Sequence, residues 1–431
     1  MIVFLKKVRA STIFSKFEPV KVEALELEYL KTLLDSIDVE SYIIDDLFSI
    51  NSKMKIEPDL VVLTGYNVSE GEILKQAGNF KQRFKGVKII VGGVHIQKNT
   101  QDFHDINVDY VYHGHGLDSF KNLIEKIRNG EAIEDMPGVD INTYREDNRK
   151  RSTKTWSIGP RESISCHENY KADRSYFREI IDRTRYLEKK RVALIKGSVG
   201  CHYKCSYCYC KEVNEGHYIA ADYNLMKKEI EEIDADYFWI VDDVLVSDRK
   251  QALSFIEVFK DLRDKKMIIY LRADFILKNI DLLQELRSIG IAEVIVGFES
   301  TDNKELKRYE KTTNALDYPK VIVSLKEAGI DLTALFMVNP DWGPEEFKTL
   351  NKFISNNKLE VFTLSILTPI KGTKTFKQFK EQLTTDDPRK FDFLHLVLPS
   401  KMPKLMFYSY FYLTHLKLLK SKRIWKYILR K

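Results

Sequence analysis

The run Gly197-Ser198-Val199-Gly200-Cys201-His202-Tyr203-Lys204-Cys205-Ser206-Tyr207-Cys208 sets three thiols at Cys-x3-Cys-x2-Cys spacing. Iron–sulfur cubes are held by cysteine thiolates, usually four of them. A tight loop offering Cys201, Cys205 and Cys208 alone leaves one iron of a [4Fe–4S] cluster without a protein ligand. That iron can bind a small molecule, to which a reduced cluster can pass one electron. The competing chemistry is structural zinc, which takes four ligands, commonly as two separated Cys-x2-Cys pairs or as cysteine with histidine. The chain has no second pair, and its remaining cysteines are Cys166 and Cys210. Cys210 or His202 could complete a zinc site only by folding back onto the loop. Otherwise Cys210 reads as a spare thiol. Cys166, beside His167, reads as an ordinary reduced thiol or as a hydrogen-atom donor near the reaction site.

Such a loop needs a rigid seat, and the flanking pattern supplies one. Strand-like runs at 192–196, 237–241, 268–272, 293–298, 332–338 and 361–367 alternate with helical ones such as 226–233, 249–264, 280–289 and 318–328. Six parallel strands with helices between them put chemistry at the carboxyl ends, and the cysteines follow the first strand. The other strand ends carry Asp242-Asp243, Arg272-Ala273-Asp274, Gly297-Phe298-Glu299-Ser300 and Thr368-Pro369.

Residues 1 to about 130 alternate in the same way. Strands are expected at 1–8, 42–44, 60–65, 87–91 and 110–113, and helices at 22–36, 70–84 and 117–127. This is the pattern of a doubly wound, Rossmann-like parallel sheet, whose ligands sit beyond the carboxyl ends of the strands. The loops there read Thr64-Gly65 with Ser69, Gly92-Gly93-Val94-His95, and His113-Gly114-His115-Gly116. Glycine lets backbone approach a bulky ligand closely. Between the two patterned regions, 131–190 is a poor prospect for regular structure. It offers a hairpin opening at Met136-Pro137-Gly138-Val139 with Asp147-Asn148 as its turn, and then a linker.

The cysteine spacing, the strand before it and the aromatic Tyr207 before the last cysteine resemble the radical S-adenosylmethionine (SAM) superfamily. The segments Pro58-Asp59-Leu60-Val61-Val62, Val91-Gly92-Gly93-Val94-His95 and Val108-Asp109-Tyr110-Val111-Tyr112-His113-Gly114-His115-Gly116 resemble the cobalamin-binding domain that precedes the radical domain in cobalamin-dependent members. The resemblance runs from residue 1 to about 400. It implies a Rossmann-like cobalamin-binding domain over 1–135, a hairpin and linker over 136–190, a partial (β/α)6 TIM-type barrel over 191–376 and a small helical extension over 377–431.

It also implies site roles. Cys201, Cys205 and Cys208 would hold the [4Fe–4S] cluster, with Tyr207 packing on the adenine side of SAM. Arg272 would suit the SAM carboxylate through its planar fork, and Glu299 and Asp242 its amine or ribose. Thr64 and Ser69 would face the nucleotide tail of cobalamin, and Gly92, Gly93, Gly114 and Gly116 would line its path. The Asp-x-His-x-x-Gly motif of many other cobalamin proteins is absent, the first loop reading Lys6-Lys7-Val8-Arg9-Ala10-Ser11. His95 and His115 are left as candidate axial ligands, or as residues that pack on the corrin or hydrogen-bond locally.

The implied reaction cleaves SAM to a 5′-deoxyadenosyl radical that abstracts hydrogen from an unactivated carbon. The carbon radical then takes a methyl group from methylcobalamin, with methyl transfer to phosphorus as a variant. Cyclisation, rearrangement or ring contraction without methyl transfer stays open. A methylthiotransferase would need a second upstream cysteine triplet, where the chain has Cys166 alone, and a non-enzymatic cobalamin sensor would not need the cluster loop. The family implies an electron donor such as flavodoxin or ferredoxin and a small-molecule, peptide or lipid-like substrate.

Composition bounds the rest. With 431 residues, 44% hydrophobic and 31% charged, the chain suits two or three globular domains. Clustered thiols without a disulfide framework point to a reducing cytoplasm, and the N-terminus does not read as a signal peptide. The net charge of +6 is concentrated in 401–431, which holds nine Lys or Arg and no Asp or Glu. The remainder is mildly acidic, unlike a nucleic-acid-binding enzyme. A helix expected over 405–419 is crowded with Phe407, Tyr408, Tyr410, Phe411 and Tyr412, and the last residues interleave Lys and Arg with Ile424, Trp425 and Ile428. Two outcomes are open for this tail: docking of its aromatic face on the barrel, or peripheral contact with an anionic membrane.

Overall fold

The computed structural model describes residues 1–10, 19–48, 56–143, 156–162, 171–262 and 264–429. The expected turn at Asp147-Asn148 and the pair Cys166-His167 lie outside them. Two compact units form, one of Met1–Phe17, Glu23–Ile180 and Asp387–Arg389, the other of Glu18–Val22, Ile181–Asp386 and Lys390–Lys431.

In the first unit, strands Ile2–Lys7, Glu40–Asp45, Leu60–Thr64, Lys88–Gly92 and Tyr110–Tyr112 pair in parallel, with Ile2–Lys7 between Glu40–Asp45 and Leu60–Thr64. Period-two alternation sends their apolar residues to both faces. Val3, Leu5, Leu60, Val62 and Ile90 join one core, which holds Leu33 and Leu34 of helix Leu25–Asp35 and Leu123 and Ile124 of helix Leu117–Asn129. Phe4, Val61, Leu63, Ile89 and Val91 join the other, under Ile73 and Ala77 of helix Glu70–Arg83. Helices on both faces make the sheet doubly wound, as the alternation implied. Gly130, at φ +69°, closes helix Leu117–Asn129 in the left-handed conformation that glycine tolerates.

The hairpin expected to open after Met136 has its two strands paired, Val139–Asn142 antiparallel with Trp156–Ser157, and it adds to this sheet because Val139–Asn142 also pairs antiparallel with Tyr110–Tyr112. Asp140 on that strand is fully buried between His104 (2.9 Å) and His113 (3.1 Å). Residues 171–190, expected as linker, contain helix Ser175–Ile180 and the pair Arg185–Tyr186 and Lys189–Lys190, to which Val20–Lys21 adds a third strand. Single-sequence periodicity cannot register two-residue strands.

The second unit is a six-stranded parallel sheet in sequential order: Val192–Ile195, Tyr237–Ile240, Lys266–Tyr270, Ile291–Glu299, Asp331–Val338 and Val361–Ile366. Side-chain caps start several of its helices. Asp222 accepts from the N–H groups of Asn224 and Leu225, and Asp248 from that of Gln251. The helix expected over 280–289 begins as a 3-10 turn, Ile280–Leu282, before Leu283–Ser288. At the amino ends of the strands, Glu293 accepts from Lys189 (2.7 Å), Arg423 (2.7 Å) and the Thr333 hydroxyl (2.5 Å). Arg423 also reaches Glu188 at 2.7 Å. Four segments distant in sequence therefore meet around Glu293 in one buried network.

The C-terminal helix is shorter than expected. Lys404–His415 gives way to a 3-10 stretch, Leu416–Lys420, and after buried Ser421 a second helix, Lys422–Leu429, carries Arg423. Among the described residues no helix is long and apolar enough to cross a membrane.

Candidate active site

In the second unit the cysteine loop leaves strand Val192–Ile195 and is fastened at several points. Both carboxylate oxygens of Asp242, just past the next strand, accept backbone N–H groups, from Gly197 at 2.8 Å and Ser198 at 2.7 Å. The Ser198 hydroxyl donates to Val244 O. Val199–Gly200 pairs with Tyr218–Ile219, and at Gly200, φ +81°, a Cβ would meet His217 O at 2.1 Å. Downstream, Ser206 N donates to Tyr309 O, and Ser206 O accepts from the Thr375 N–H and hydroxyl. Cys208 immediately precedes helix Tyr209–Val213.

Cys201, Cys205, Cys208 and Cys210 are unpaired thiols, each half-buried. The Cys210 thiol donates to Cys201, and this hydrogen bond lowers the Cys201 pKa to about 7 although burial opposes it. Burial pushes Cys208 up to about 12. The Cys210 thiol is held protonated by its bond to Cys201, by burial and by Asp243. A thiolate-binding metal must displace the protons of its ligands, and here one of the three is already poised to leave. Three loop thiols are the number of donors that an iron–sulfur cluster with one open iron takes, although among the described residues no three Cys, His, Asp or Glu side chains are gathered closely enough to hold a metal ion.

Arg272 and Glu299 both reach this loop through its aromatic residues. The Arg272 guanidinium lies 3.8 Å from the Tyr203 ring centroid, a cation–π distance, and its fork grips Asp274 at 2.9 and 3.1 Å and Thr312 at 2.9 Å. Glu299 sits at φ +64° where a bulge interrupts the register of its strand, and it pairs with Lys311 at 2.9 Å. Tyr207 hydrogen-bonds Glu299, and burial together with that carboxylate holds the phenol well above its ordinary pKa. Its ring meets Tyr309 edge-on and packs with Met337 and Leu367. The structure thus brings Cys201, Cys205, Cys208, Tyr207, Arg272 and Glu299 together. It ties Asp242 to the loop backbone, where burial raises the carboxyl pKa. Lys311, Thr312 and Tyr309 escaped the sequence reading, and Asp274 was seen there only as part of a strand end. The Arg272-x-Asp274 spacing was visible, but the other three join through tertiary contacts.

In the first unit the three loops follow neighbouring strands. Thr64 and Ser69 are buried, and Gly93, at φ +124°, has the Thr64 hydroxyl 2.5 Å from where a Cβ would stand. Gly92 ends strand Lys88–Gly92. A Cβ on Gly114 would fall 2.4 Å from a Glu162 oxygen. That carboxylate, unforeseen from sequence, accepts from His115 N (2.8 Å) and the Ser119 hydroxyl (3.0 Å). Gly116 O accepts from the Tyr112 hydroxyl. Backbone conformation therefore already favours glycine at 93, whereas a Cβ at 114 would have to displace the Glu162 and Tyr112 side-chain ends. His95 hydrogen-bonds Glu70 at 3.1 Å and packs on Phe103, the local role weighed against cobalt ligation. On the outside of these loops, Tyr66 (62% exposed), with the Lys7 ammonium 4.1 Å from its ring centroid, and Val94 (55%) are accessible to a bulky ligand.

Residues 195–354 match the family model of the Radical SAM superfamily. The chain is 24% identical over 373 residues to the hopanoid C-3 methylase of Methylococcus capsulatus, covering 85% of this chain and 70% of that protein. It is 23% identical over 368 residues to the bacteriochlorophyllide d C-8(2)-methyltransferase of Chlorobaculum tepidum, covering 82% and 75%. The solved structure of the radical SAM methyltransferase TsrM from Kitasatospora setae, with cobalamin and a [4Fe-4S] cluster bound, matches with a TM-score of 0.67 at 15% identity, covering 89% of this chain and 76% of that one. Residues 195–354 are a Radical SAM domain, and the chain is similar over most of its length to the methylase and methyltransferases named above.

Proposed function

We propose that this chain is a cobalamin-dependent radical SAM methyltransferase that methylates an unactivated carbon, or phosphorus, of a small-molecule, peptide or lipid-like substrate. The observation that carries the reading is one cysteine loop clamped to the strand ends, with Arg272 and Glu299 attached to it through Tyr203 and Tyr207. When bound, the cluster supplies the electron that cleaves SAM, and cobalamin supplies a transferable methyl group.

The chain's own residues bind and orient. Cys201, Cys205 and Cys208 would hold the iron. Arg272 has Nε and Nη2 committed to Asp274 and Thr312, which makes Nη1 its edge for the SAM carboxylate. Glu299, fixed by Lys311 and Tyr207, would accept from the amine. Asp242 acts as a positioning residue, since both its oxygens hold the backbone that enters the loop. Thr64, Ser69 and the loops at Gly92-Gly93 and Gly114-His115-Gly116 would receive cobalamin, beside Tyr66 and Val94. On this reading residues 1–135 carry the cobalamin site, 136–190 connect, 191–376 carry cluster and SAM, and 377–431 extend the barrel. An electron donor of the flavodoxin or ferredoxin type would complete turnover. The basic tail would give peripheral membrane contact, and no nucleic acid is involved.

The test is anaerobic reconstitution with iron, sulfide and hydroxocobalamin, followed by turnover with methyl-deuterated SAM and a strong reductant. About four irons per chain, retained corrinoid, 5′-deoxyadenosine and a deuterated product are expected. A modified product without label would replace methyl transfer by cyclisation or rearrangement, and absence of 5′-deoxyadenosine would sink both.

A further inference from the structure

Helix Lys404–His415 is apolar on two sides. Phe407 and Phe411 point inward and are fully buried, with Phe347 against Phe407. At 100° per residue, Leu405, Met406, Tyr412, Leu413 and Leu416 share the opposite arc with Ser409. All five of those apolar residues are exposed, Leu405 by 82% and Leu413 by 60%. The surface continues through Leu419 and then, on helix Lys422–Leu429, through Trp425, Ile428 and Leu429 (78%). That second helix is pinned from its other side by Arg423, so its outward face is set by the fold. A helix apolar all round ordinarily has both sides covered, and a contiguous bare patch of this kind marks a contact surface.

The charge around the patch identifies what covers it. Lys401, Lys404, Lys420, Lys422 and Lys426 are exposed, and the segment from 401 onward contains no Asp or Glu. A second copy would bring the same lysines face to face, a like-charge contact that costs free energy. An anionic lipid surface attracts them, takes Leu and Trp side chains to the depth of the acyl boundary, and needs no spanning helix. We propose that helices Lys404–His415 and Lys422–Leu429 dock this enzyme on anionic membranes through Leu405, Leu413, Leu416, Trp425 and Leu429. This deepens the lipid-like branch of the functional reading, because it brings the enzyme to where an apolar substrate is dissolved.

The full chain is sedimented with vesicles of phosphatidylcholine containing about one-quarter phosphatidylglycerol and, separately, with pure phosphatidylcholine. Binding is expected to the anionic vesicles, to weaken at least about tenfold on pure phosphatidylcholine, and to fall again in about 0.5 M salt. Leu413→Glu with Leu416→Glu should abolish it. A second variant, Lys404→Gln with Lys420→Gln, Lys422→Gln and Lys426→Gln, changes only exposed side chains and should weaken it as strongly. Equal binding with and without anionic lipid, or a dimer by light scattering that dissolves in the Leu413/Leu416 variant, would overturn the proposal. Formation of 5′-deoxyadenosine is read in the same preparations. If it persists while vesicle binding fails, docking alone falls; if it fails while vesicles are bound, the enzymatic reading falls.

Discussion

At the scale of single residues, the thiols and the carboxylates divide the work between holding iron and holding the holder. Cys201→Ala, Cys205→Ala and Cys208→Ala should each reconstitute with far less iron and form no 5′-deoxyadenosine. Cys210→Ala should keep the cluster, which iron and sulfide analysis would show. Asp242→Asn is the informative contrast. Asparagine has one acceptor oxygen where two N–H groups, those of Gly197 and Ser198, must be met. One buried donor is then orphaned, at about 1–3 kcal/mol. Iron retention should drop although every thiol is intact, and full retention would show that the loop does not depend on this clamp. The cysteine spacing and the carboxyl-end position of Arg272 and Glu299 were legible because they are local facts of the chain. The clamp was not: Asp242 read equally as a ligand for SAM, and only the 44- and 45-residue closure onto Ser198 and Gly197 shows its oxygens already engaged.

At the scale of elements, the strands announce themselves and their joints do not. Alternation gave the parallel strands of both sheets because buried runs such as Leu60–Thr64 and Val192–Ile195 leave little ambiguity. The pairing of Val139–Asn142 with Tyr110–Tyr112 was hidden, since one strand looks alike whether it extends an old sheet or opens a new one. The ionic network at the amino ends of the second sheet was hidden too, as Arg423 meets Glu188 across 235 residues. Removing the guanidinium leaves Glu188 and Glu293 with Lys189 as the cation between them. Arg423→Ala should destabilise the unit by about 3 kcal/mol, the usual cost of breaking a buried pair. Denaturant unfolding of the reconstituted protein measures it, and a loss below about 0.5 kcal/mol, the size of an exposed pair, would refute it.

At the scale of the whole molecule, the first unit carries a built-in response to acid. Burial alone would raise the Asp140 carboxyl, but hydrogen bonds from His113 and His104 hold its pKa below the ordinary value. A depressed carboxylate adds stability above its unfolded pKa of about 4, and that contribution disappears as pH falls through the lower folded value. Thermal melts between neutral pH and about pH 3 should therefore fall more steeply for the native chain than for Asp140→Asn. Parallel slopes would show that the aspartate is not responsible.

The Arg423 network bears on how this protein is handled. Trimming the polypeptide after residue 400, an obvious way to delete a greasy basic tail, also strips the stopper from the bottom of the barrel. Glu293 would keep Lys189 and lose its second cation, and water would gain the amino ends of the strands. A shortened protein that misbehaves would say nothing about lipid.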